Sequence, residues 1–397
     1  MRIASRITSG PGKGTLVRVT PPCEPGSLTT STWAGPMEGR RRRGETLGLA
    51  AVLLLLVSAV RPARAAEDVW TGVERVVAVG DVHGDYERFI AVIRFAGLID
   101  ANGNWSGGKS HLVQIGDVLD RGPDSRKAMD LLMKLEGQAR RAGGHVHALI
   151  GNHESMNIFG DLRYVSPGEF AAFQGESSKK RSPTAEAEAG HPPGYAEHRR
   201  QFGPDGTYGR WIRGHNTVIK INDTVFLHAG IAPKYAGYTI REINNRVREE
   251  LEDFSKLEGG MVVDTEGPLW YRGMAQGDEK ELDAHVAQVL KNLKAVRIVI
   301  GHTFCDGAIT PRFGGKVLQI DIGLARLYDK LVRIACLVIE KGQPYALHEG
   351  TRLELPTDST KDMLRYLKQA AALDPPPSSL LDRIARLEAS LAGVTKP

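Results

Sequence analysis

Apolar segments alternate with amphipathic segments along most of the chain after residue 70. RVVAVGD, HLVQIGD and HVHALIGNHE are strand-like, and helical periodicity follows the first two of them, over Tyr86 to Ala96 and Ser125 to Ala142. TVIKINDTVFLHAG predicts a hairpin that turns at Asn222 and Asp223, before a helix near Thr239 to Asp253. VRIVIGHT, KVLQIDIG and KLVRIACLVIE predict further strands. This alternation indicates an α/β fold.

Two segments depart from the alternation. Residues 166–207 include GESSKKRSPTAEAEAGHPPGYAEHRRQ, which is polar, rich in Pro and Gly, and without a strand pattern, so we predict an insertion there. KDMLRYLKQAAALD and SSLLDRIARLEASL are helical by period and predict a C-terminal helical appendage over 351–397. The catalytic domain is therefore expected to span 66–350.

The N-terminal 65 residues have the pattern of a leader. Arg40 to Arg43 precede the apolar run Leu47 to Val60, and Ala63 to Ala65 fits a small-residue cleavage site, so a signal peptide and a periplasmic or secreted protein are predicted. A membrane anchor is the alternative, but a helical span needs about 20 apolar residues and this run is shorter, so no stable transmembrane anchor is expected. The preceding residues are rich in Pro, Gly, Ser and Thr, which fits a disordered or misannotated leader with translation starting at Met37.

The charge is concentrated in this leader. The 397-residue chain has a formal charge of +5, but its first 65 residues hold 10 Lys or Arg against 3 Glu, which leaves 42 basic and 44 acidic residues elsewhere. A basic groove for nucleic acid is therefore not expected. Cys305 and Cys336 are the cysteines beyond the leader, and we predict that both are unpaired buried thiols.

Five polar clusters stand where predicted strands end. They are GDVHGD at 80–85, GDVLDRG at 116–122, GNHE at 151–154, HAG at 228–230 and GHT at 301–303. In open α/β sheets, ligand sites lie beyond the carboxyl ends of strands, so these clusters are expected to converge. Their oxygen and imidazole donors, without thiolate, suit Mn, Fe, Zn or Mg.

Each cluster also has a simpler interpretation. Asp81 and Asp117 are typical helix caps, Asn152 suits a turn, and His228 suits a hydrogen-bonded position in the core. The joint occurrence of all five clusters favours a metal site over these separate interpretations.

With these motifs, the chain resembles the calcineurin-like metallophosphoesterases and, within them, the phosphoprotein phosphatase family, because GDVHG, GDVLDRG and GNHE occur in order with family-like spacing. The resemblance covers roughly 75–350 and implies a four-layer fold, two mixed β sheets packed face to face and flanked by helices. The chain is most similar to the bacterial Shewanella-like phosphatases, because it contains GRW at 209–211 and GHTFCDG and lacks a SAPNYC-like loop.

The resemblance implies two divalent metal ions, with Mn²⁺ expected and Fe or Zn as alternatives. Asp81 and His83 would bind the first ion, and Asp117 would bridge both ions. The second site would be completed by Asn152, His228 and His302.

The remaining motif residues resemble the family's catalytic and phosphate-binding groups. His153 would be the general acid, and Asp120 would orient its ring. Arg121 and Arg272, with Asn152 beside them, are assigned to the substrate phosphate. For Arg272, in GPLWYRG, a surface salt bridge is the alternative.

These assignments predict a dinuclear-metal phosphomonoesterase that acts on a phosphoprotein or phosphopeptide by direct attack of a metal-bridging hydroxide. One alternative is a nucleotide polyphosphate hydrolase, because bacterial diadenosine tetraphosphatases resemble the same motif set, including GHT. The other is a non-catalytic metal-binding recognition module. Retention of Asp120, Arg121 and His153 argues against that module, because binding metal would not need them.

Overall fold

The computed structural model describes residues 67–175, 190–326, 333–357 and 359–393. In these ranges the chain forms two six-stranded sheets flanked by helices. The strands are β1 (Val69–Trp70), β2 (Arg75–Val79), β3 (His111–Gln114), β4 (His145–Ala148), β5 (Val218–Ile221), β6 (Thr224–Leu227), β7 (Arg297–Ile300), β8 (Thr310–Arg312), β9 (Val317–Gln319), β10 (Ala335–Glu340), β11 (Gln343–His348) and β12 (Thr351–Glu354). The predicted signal segment lies outside the described residues, so its cleavage stays a prediction.

Both sheets are mixed, as predicted. One has the order β1-β5-β6-β7-β9-β8, and the other has the order β12-β11-β10-β2-β3-β4. Strands β2, β3 and β4 are parallel to each other, as are β6, β7 and β9. The hairpin of β5 and β6 turns at Asn222 and Asp223, which confirms that prediction. The carboxyl ends of parallel strands lie at one edge of their sheet. The loops that follow β2, β3 and β4 therefore lie together at that edge.

The sheets pack face to face because the central strands are apolar on both sides. In β2, Val76 and Ala78 belong to the core between the sheets, which also contains Phe226 of β6. The alternate residues Val77 and Val79 pack in the core formed with the outer helices. Burying one such side chain contributes about 1.5–3 kcal/mol. A continuous apolar strand is therefore the pattern expected of a sheet covered on both faces.

The helices lie outside the sheets, and the last two extend the core between the sheets. They are α1 (Tyr86–Phe95), α2 (Ser125–Arg141), α3 (Asn152–Phe159), α4 (Pro167–Ala172), α5 (Tyr195–Phe202), α6 (Thr207–Arg213), α7 (Ile240–Glu252), α8 (Gly273–Gln276), α9 (Glu279–Leu293), α10 (Thr360–Leu373) and α11 (Leu381–Leu391). Helix α7 begins after a capping box in which Thr239 and Glu242 bond each other's backbone. The four-layer fold is confirmed.

The predicted insertion and appendage both contain helices that pack on the domain. Helices α4 and α5 lie within 166–207, and Phe170 and Phe202 are buried. Tyr366 and Leu367 of α10 and Ile384 of α11 join the core between the sheets. The division at residue 350 stays a prediction.

Two smaller expectations concern the thiols and the membrane. Cys305 and Cys336 are free and buried, as predicted. None of the helices within the described residues combines the length and the apolarity that a bilayer span requires.

Candidate metal and phosphate site

The ends of five strands, three from one sheet and two from the other, bring five of the six predicted ligands together. Asp81 follows β2, Asp117 follows β3, Asn152 follows β4, His228 follows β6 and His302 follows β7. Each of these side chains is buried. The cluster therefore draws on both sheets, which explains why its members lie so far apart in the sequence.

The interpretation of Asp81 and Asp117 as helix caps is wrong. Helix α1 is capped by Asp85, whose side chain accepts from the Arg88 amide, and Asp124 precedes α2. Neither predicted ligand caps a helix, and both face the other polar side chains of the site.

Four predicted ligands of the second metal face one another around the His228 ring. The distance from His228 Nε2 is 2.9 Å to Asn152 Oδ1, 3.1 Å to His302 Nδ1 and 3.3 Å to an Asp117 carboxylate oxygen. The Asn152 amide nitrogen points instead to the Met156 sulfur, which leaves its oxygen toward the site. Three oxygen or imidazole donors within about 3 Å of a fourth are arranged as the ligands of one cation would be.

The predicted first-metal ligands lie on the other side of Asp117. His83 Nε2 is 3.8 Å from Asp81 Oδ2 and 3.7 Å from Asp117 Oδ2. Asp117 therefore faces both histidine groups, with Oδ2 toward His83 and Oδ1 toward His228. That placement is what a bridging carboxylate requires. His83, Asp117 and His153 also place their ligand atoms within 4.8 Å of one another.

Backbone carbonyls fix two of the imidazoles in the tautomer that binds a metal. His83 Nδ1 is 3.0 Å from the Leu119 carbonyl, and His228 Nδ1 is 3.1 Å from the Ile115 carbonyl. A carbonyl oxygen only accepts, so both Nδ1 atoms donate and both Nε2 atoms face the carboxylates and Asn152. Burial lowers the pKa of His228, but Asp117 outweighs burial and the pKa is raised, so the His228 Nε2 holds a proton that a bound cation would replace. Facing lone pairs repel unless a cation or a proton lies between them. The residues present thus fit two divalent cations.

Burial controls the charges of these ligands. It lowers the pKa of His83 to about 3 and that of His302 to about 2, so both rings are neutral and able to ligate. Burial, followed by the charges of Asp321 and Asp117, raises the pKa of Asp81 well above its usual range. Carboxylates crowded in a buried site destabilise one another, and a bound cation removes that penalty.

Asp117 has the opposite electrostatic balance. Burial raises the pKa of its carboxyl, but His228 and His153 outweigh burial and hold the pKa well below the usual range. The backbone amide of His153 also donates to Asp117 Oδ1 at 3.0 Å. Asp117 is therefore held as the charged carboxylate, the form that binds cations.

His153 is paired with Asp120 beside the predicted metal bridge. His153 Nδ1 is 2.5 Å from Asp120 Oδ2, and Asn157 Nδ2 donates to Asp120 Oδ1 at 2.9 Å. Burial lowers the pKa of His153, but Asp117 and Asp120 outweigh burial, and the pKa is raised. The pair therefore favours a protonated ring whose Nε2 lies 3.7 Å from Asp117 Oδ2.

The two predicted phosphate-binding arginines differ in their surroundings. Arg121 Nη2 is 3.3 Å from His153 Nε2, so the guanidinium lies beside the predicted general acid. A guanidinium only donates, so Nε2 accepts from it when the ring is neutral, and Arg121 opposes protonation of the ring. Arg272 Nη1 donates to the His302 carbonyl at 3.0 Å and to Thr303 Oγ1 at 2.9 Å. These contacts support the loop that carries His302, and the role of Arg272 as a phosphate ligand stays a prediction.

Glu154 is a supporting residue that the sequence analysis left without a role. Its Oε2 accepts from the amides of Asp117 at 2.7 Å and Gly151 at 2.8 Å, and its Oε1 accepts from the Val118 amide at 2.8 Å. One carboxylate therefore joins the loop after β3 to the start of α3. A glutamate three residues after the helix N-cap is the available sequence signal.

The segment predicted as an insertion supplies two more supporting residues. The buried carboxylate of Glu169 in α4 accepts from the Asp120 amide at 3.1 Å, and Arg199 in α5 donates to the carbonyls of Asn157 and Ile158. Arg199 thus binds the C-terminal end of α3, the helix that begins with Asn152. These contacts join side chains to backbone groups that are distant in the sequence. No motif therefore predicts them.

The site loops hold an unusual backbone. His83, Asp117, Asp120, Arg121 and His302 have φ between 46° and 70°, the left-handed region that costs a non-glycine residue energy. Such conformations persist where surrounding contacts fix them, and they concentrate at functional sites.

Comparisons with known proteins agree with the family resemblance of the motifs. The family model of the calcineurin-like phosphoesterases matches residues 74–306. The chain is 36% identical to an uncharacterised protein of Schizosaccharomyces pombe, over 64% of this chain and 74% of the relative. It is 32% identical to Shewanella-like protein phosphatase 2 of Arabidopsis thaliana, over 64% of this chain and 72% of the relative. Among solved structures, a cold-active protein-tyrosine phosphatase of a psychrophilic Shewanella species is similar, with a TM-score of 0.60, 31% identity, and coverage of 72% of this chain and 82% of that one.

Proposed function

The chain belongs to the calcineurin-like phosphoesterases, enzymes that hydrolyse phosphate esters, and from this premise we propose that it is a metal-dependent phosphatase of phosphoproteins. The family predicted from the motifs is thereby confirmed. The protein phosphatases of Arabidopsis and Shewanella among its relatives support a phosphoprotein substrate. The protein itself determines where the phosphate and the leaving group lie, and the site residues divide these tasks.

The metal-binding task falls to the six predicted ligands. Asp81 and His83 would hold one divalent cation, Asp117 would contact both, and the second would be completed by Asn152, His228 and His302. When bound, the two cations supply Lewis acidity and an activated water for in-line attack on phosphorus. We propose Mn²⁺ as the metal, with Fe or Zn as alternatives, because the donors are oxygen and imidazole without thiolate.

The observation that carries the proposal is the His153 and Asp120 pair beside the predicted bridging carboxylate. The 2.5 Å contact uses Nδ1, so Nε2 is the ring atom that would face the phosphate. His153 would donate the Nε2 proton to the departing oxygen, while Asp120 stabilises the charged ring before transfer. A site built only to store metal would need neither residue.

Arg121 would hold the transferred phosphate next to His153. Its guanidinium stays charged and presents two donors in one plane, which suits two phosphate oxygens. Its 3.3 Å approach to His153 Nε2 supports a phosphate position next to the proposed proton donor. Arg272 would supply a second cationic contact from the segment before α8.

A substrate panel tests the proposal. The protein is stripped with a chelator, reloaded with Mn²⁺, Zn²⁺, Fe²⁺ or Mg²⁺, and assayed for phosphate release from phosphotyrosyl, phosphoseryl and phosphothreonyl peptides and from diadenosine tetraphosphate. We expect metal-dependent hydrolysis of the peptides, with Mn²⁺ the most effective. Hydrolysis of the dinucleotide alone would favour the nucleotide polyphosphate alternative. Tight metal binding without turnover on any substrate would favour the recognition module.

We further propose that the protein acts in the periplasm or outside the cell. The basic and apolar pattern of residues 40–65 supports this location. Phosphopeptides and phosphoproteins reaching that compartment would be its substrates.

A further inference from the structure

The leaving group of a bound substrate has a defined position relative to His153. Its Nδ1 is occupied by Asp120 at 2.5 Å, so the proton must leave from Nε2. A proton donor must lie within hydrogen-bond reach of the departing oxygen. The first group attached to that oxygen, an aryl ring in phosphotyrosine and a methylene in phosphoserine, therefore lies next to the His153 ring.

Tyr164 is an exposed aromatic residue beside that position. Its ring centroid is 5.1 Å from the His153 ring at an interplanar angle of 44°, and the Arg121 guanidinium carbon is 5.7 Å from the Tyr164 centroid. The Tyr164 side chain is 43% exposed. Its ring thus borders the two residues assigned to the proton and the phosphate, while a large part of it remains open to a ligand.

The backbone fixes Tyr164 in place independently of its side chain. The Arg121 amide donates to the Tyr164 carbonyl at 2.9 Å, which joins this residue to the GDVLDRG loop. A change of side chain at Tyr164 leaves that hydrogen bond intact. The ring can therefore be altered without removing the link that positions the loop.

We propose that Tyr164 is a specificity-determining residue that packs against the aryl ring of a phosphotyrosyl leaving group. Aromatic rings attract one another at centroid separations of 4.5–7 Å, in offset or tilted arrangements. The ring of phosphotyrosine is bonded directly to the departing oxygen and reaches Tyr164, whereas the methylene of phosphoserine offers no aromatic face. This inference rests on the proposed phosphatase function and adds to it the residue that selects the substrate.

The test compares Tyr164→Leu with Tyr164→Phe. kcat/KM is measured on a phosphotyrosyl and a phosphoseryl peptide of otherwise identical sequence. Loss of an aromatic pair corresponds to about a 2- to 12-fold effect, so Tyr164→Leu is expected to lower the ratio of tyrosyl to seryl activity by that factor. Tyr164→Phe retains the ring and is expected to keep the wild-type ratio. Tyr238→Leu is the matched control, because Tyr238 is 41% exposed and its ring contacts Tyr235.

The ratio of tyrosyl to seryl activity separates a change of substrate preference from a general loss of activity. A displaced Arg121 would reduce hydrolysis of both peptides by the same factor, and equal losses in Tyr164→Leu would therefore overturn the inference. An unchanged ratio with full activity would overturn it as well, while leaving the proposed function intact. Failure of the wild-type protein to hydrolyse either peptide would overturn the proposed function and this inference together.

Binding provides a second measurement that does not depend on turnover. Titration calorimetry of the Mn²⁺-loaded protein with phenylphosphonate and ethylphosphonate compares an aryl with an alkyl group on the same anion. Tyr164→Leu is expected to weaken phenylphosphonate binding about 2- to 12-fold and to leave ethylphosphonate binding unchanged. Equal weakening of both ligands, or of neither, would contradict the role of the ring.

Discussion

The Asp120→Asn substitution tests whether His153 gives a proton to the leaving group. Asp120 is fully buried and accepts from both His153 and Asn157. Because Asn157 donates to Oδ1, an asparagine would keep its oxygen there and turn its NH₂ group toward His153 Nδ1. That donor suits only a neutral ring with a lone pair at Nδ1. The substitution therefore removes a buried, charge-assisted hydrogen bond and the partner that stabilises the protonated ring.

The expected loss follows from that hydrogen bond. A hydrogen bond to a charged group contributes about 1.5–3 kcal/mol, which corresponds to about a 10- to 150-fold decrease in kcat/KM. Asp120 helps to raise the pKa of His153, so its removal lowers that pKa. Because a general acid works only when protonated, activity falls as pH rises through its pKa. The alkaline fall of kcat/KM should accordingly move to lower pH.

The assay compares two leaving groups while metal content is measured. A phosphoseryl peptide leaves as a strongly basic alkoxide and needs the proton, whereas nitrophenyl phosphate needs it less, so the loss should be larger for the peptide. Asp124→Asn is the control, because Asp124 contacts Lys127 at the surface at 2.8 Å. A fully metal-loaded Asp120→Asn protein that loses activity equally on both substrates, with an unmoved alkaline limb, would refute the reasoning.

Three further predictions address the bridge, the loop packing and export. Asp117→Asn removes the charge that faces both predicted metal positions, so bound metal and turnover should fall together; two tightly bound ions with normal turnover would contradict this assignment. Gly151→Ala would place Cβ 2.4 Å from Asp117 Oδ1, and should lower stability by about 1–3 kcal/mol and weaken metal binding. Gly237→Ala, where Cβ meets nothing within 4 Å, should change stability by about 0.5 kcal/mol or less in the same thermal unfolding assay. N-terminal sequencing of the natural product should find a start near Ala66, and an intact N-terminus on a cytoplasmic protein would contradict export.

Local patterns were sufficient to predict the central elements. The apolar runs of β2, β3 and β4 end in polar clusters, and each run forms a strand close to its expected position. Helix α7 spans Ile240–Glu252, within one residue of the bounds predicted at Thr239 and Asp253. Both features depend on neighbouring residues in the chain, which is why the sequence alone reveals them.

Strand pairing between distant segments could not be predicted in the same way. β1 pairs with β5, and β10 pairs antiparallel with β2, although long stretches of chain separate the partners. Their apolar residues would fit several neighbours equally well. The choice is made by packing between the two sheets, a property that no single segment carries.

The residues of the site also divide into those that local motifs predict and those that only the fold brings into contact. The predicted metal ligands belong to motifs with distinctive spacing, and the structure brings all six together. Glu169 and Arg199 lie in a segment interpreted as a polar insertion, yet they bind backbone groups of the Asp120 loop and of α3. Backbone groups are the same in every residue, so such partners leave no trace in the sequence pattern.

The number and position of metal ions test the central claim most directly. Anomalous diffraction from crystals of the Mn²⁺-loaded protein would locate each ion independently of activity. The account predicts two peaks that share Asp117, one beside Asp81 and His83 and the other beside His228 and His302. A single peak, or ions bound away from Asp117, would contradict a dinuclear site assembled from the ends of five strands.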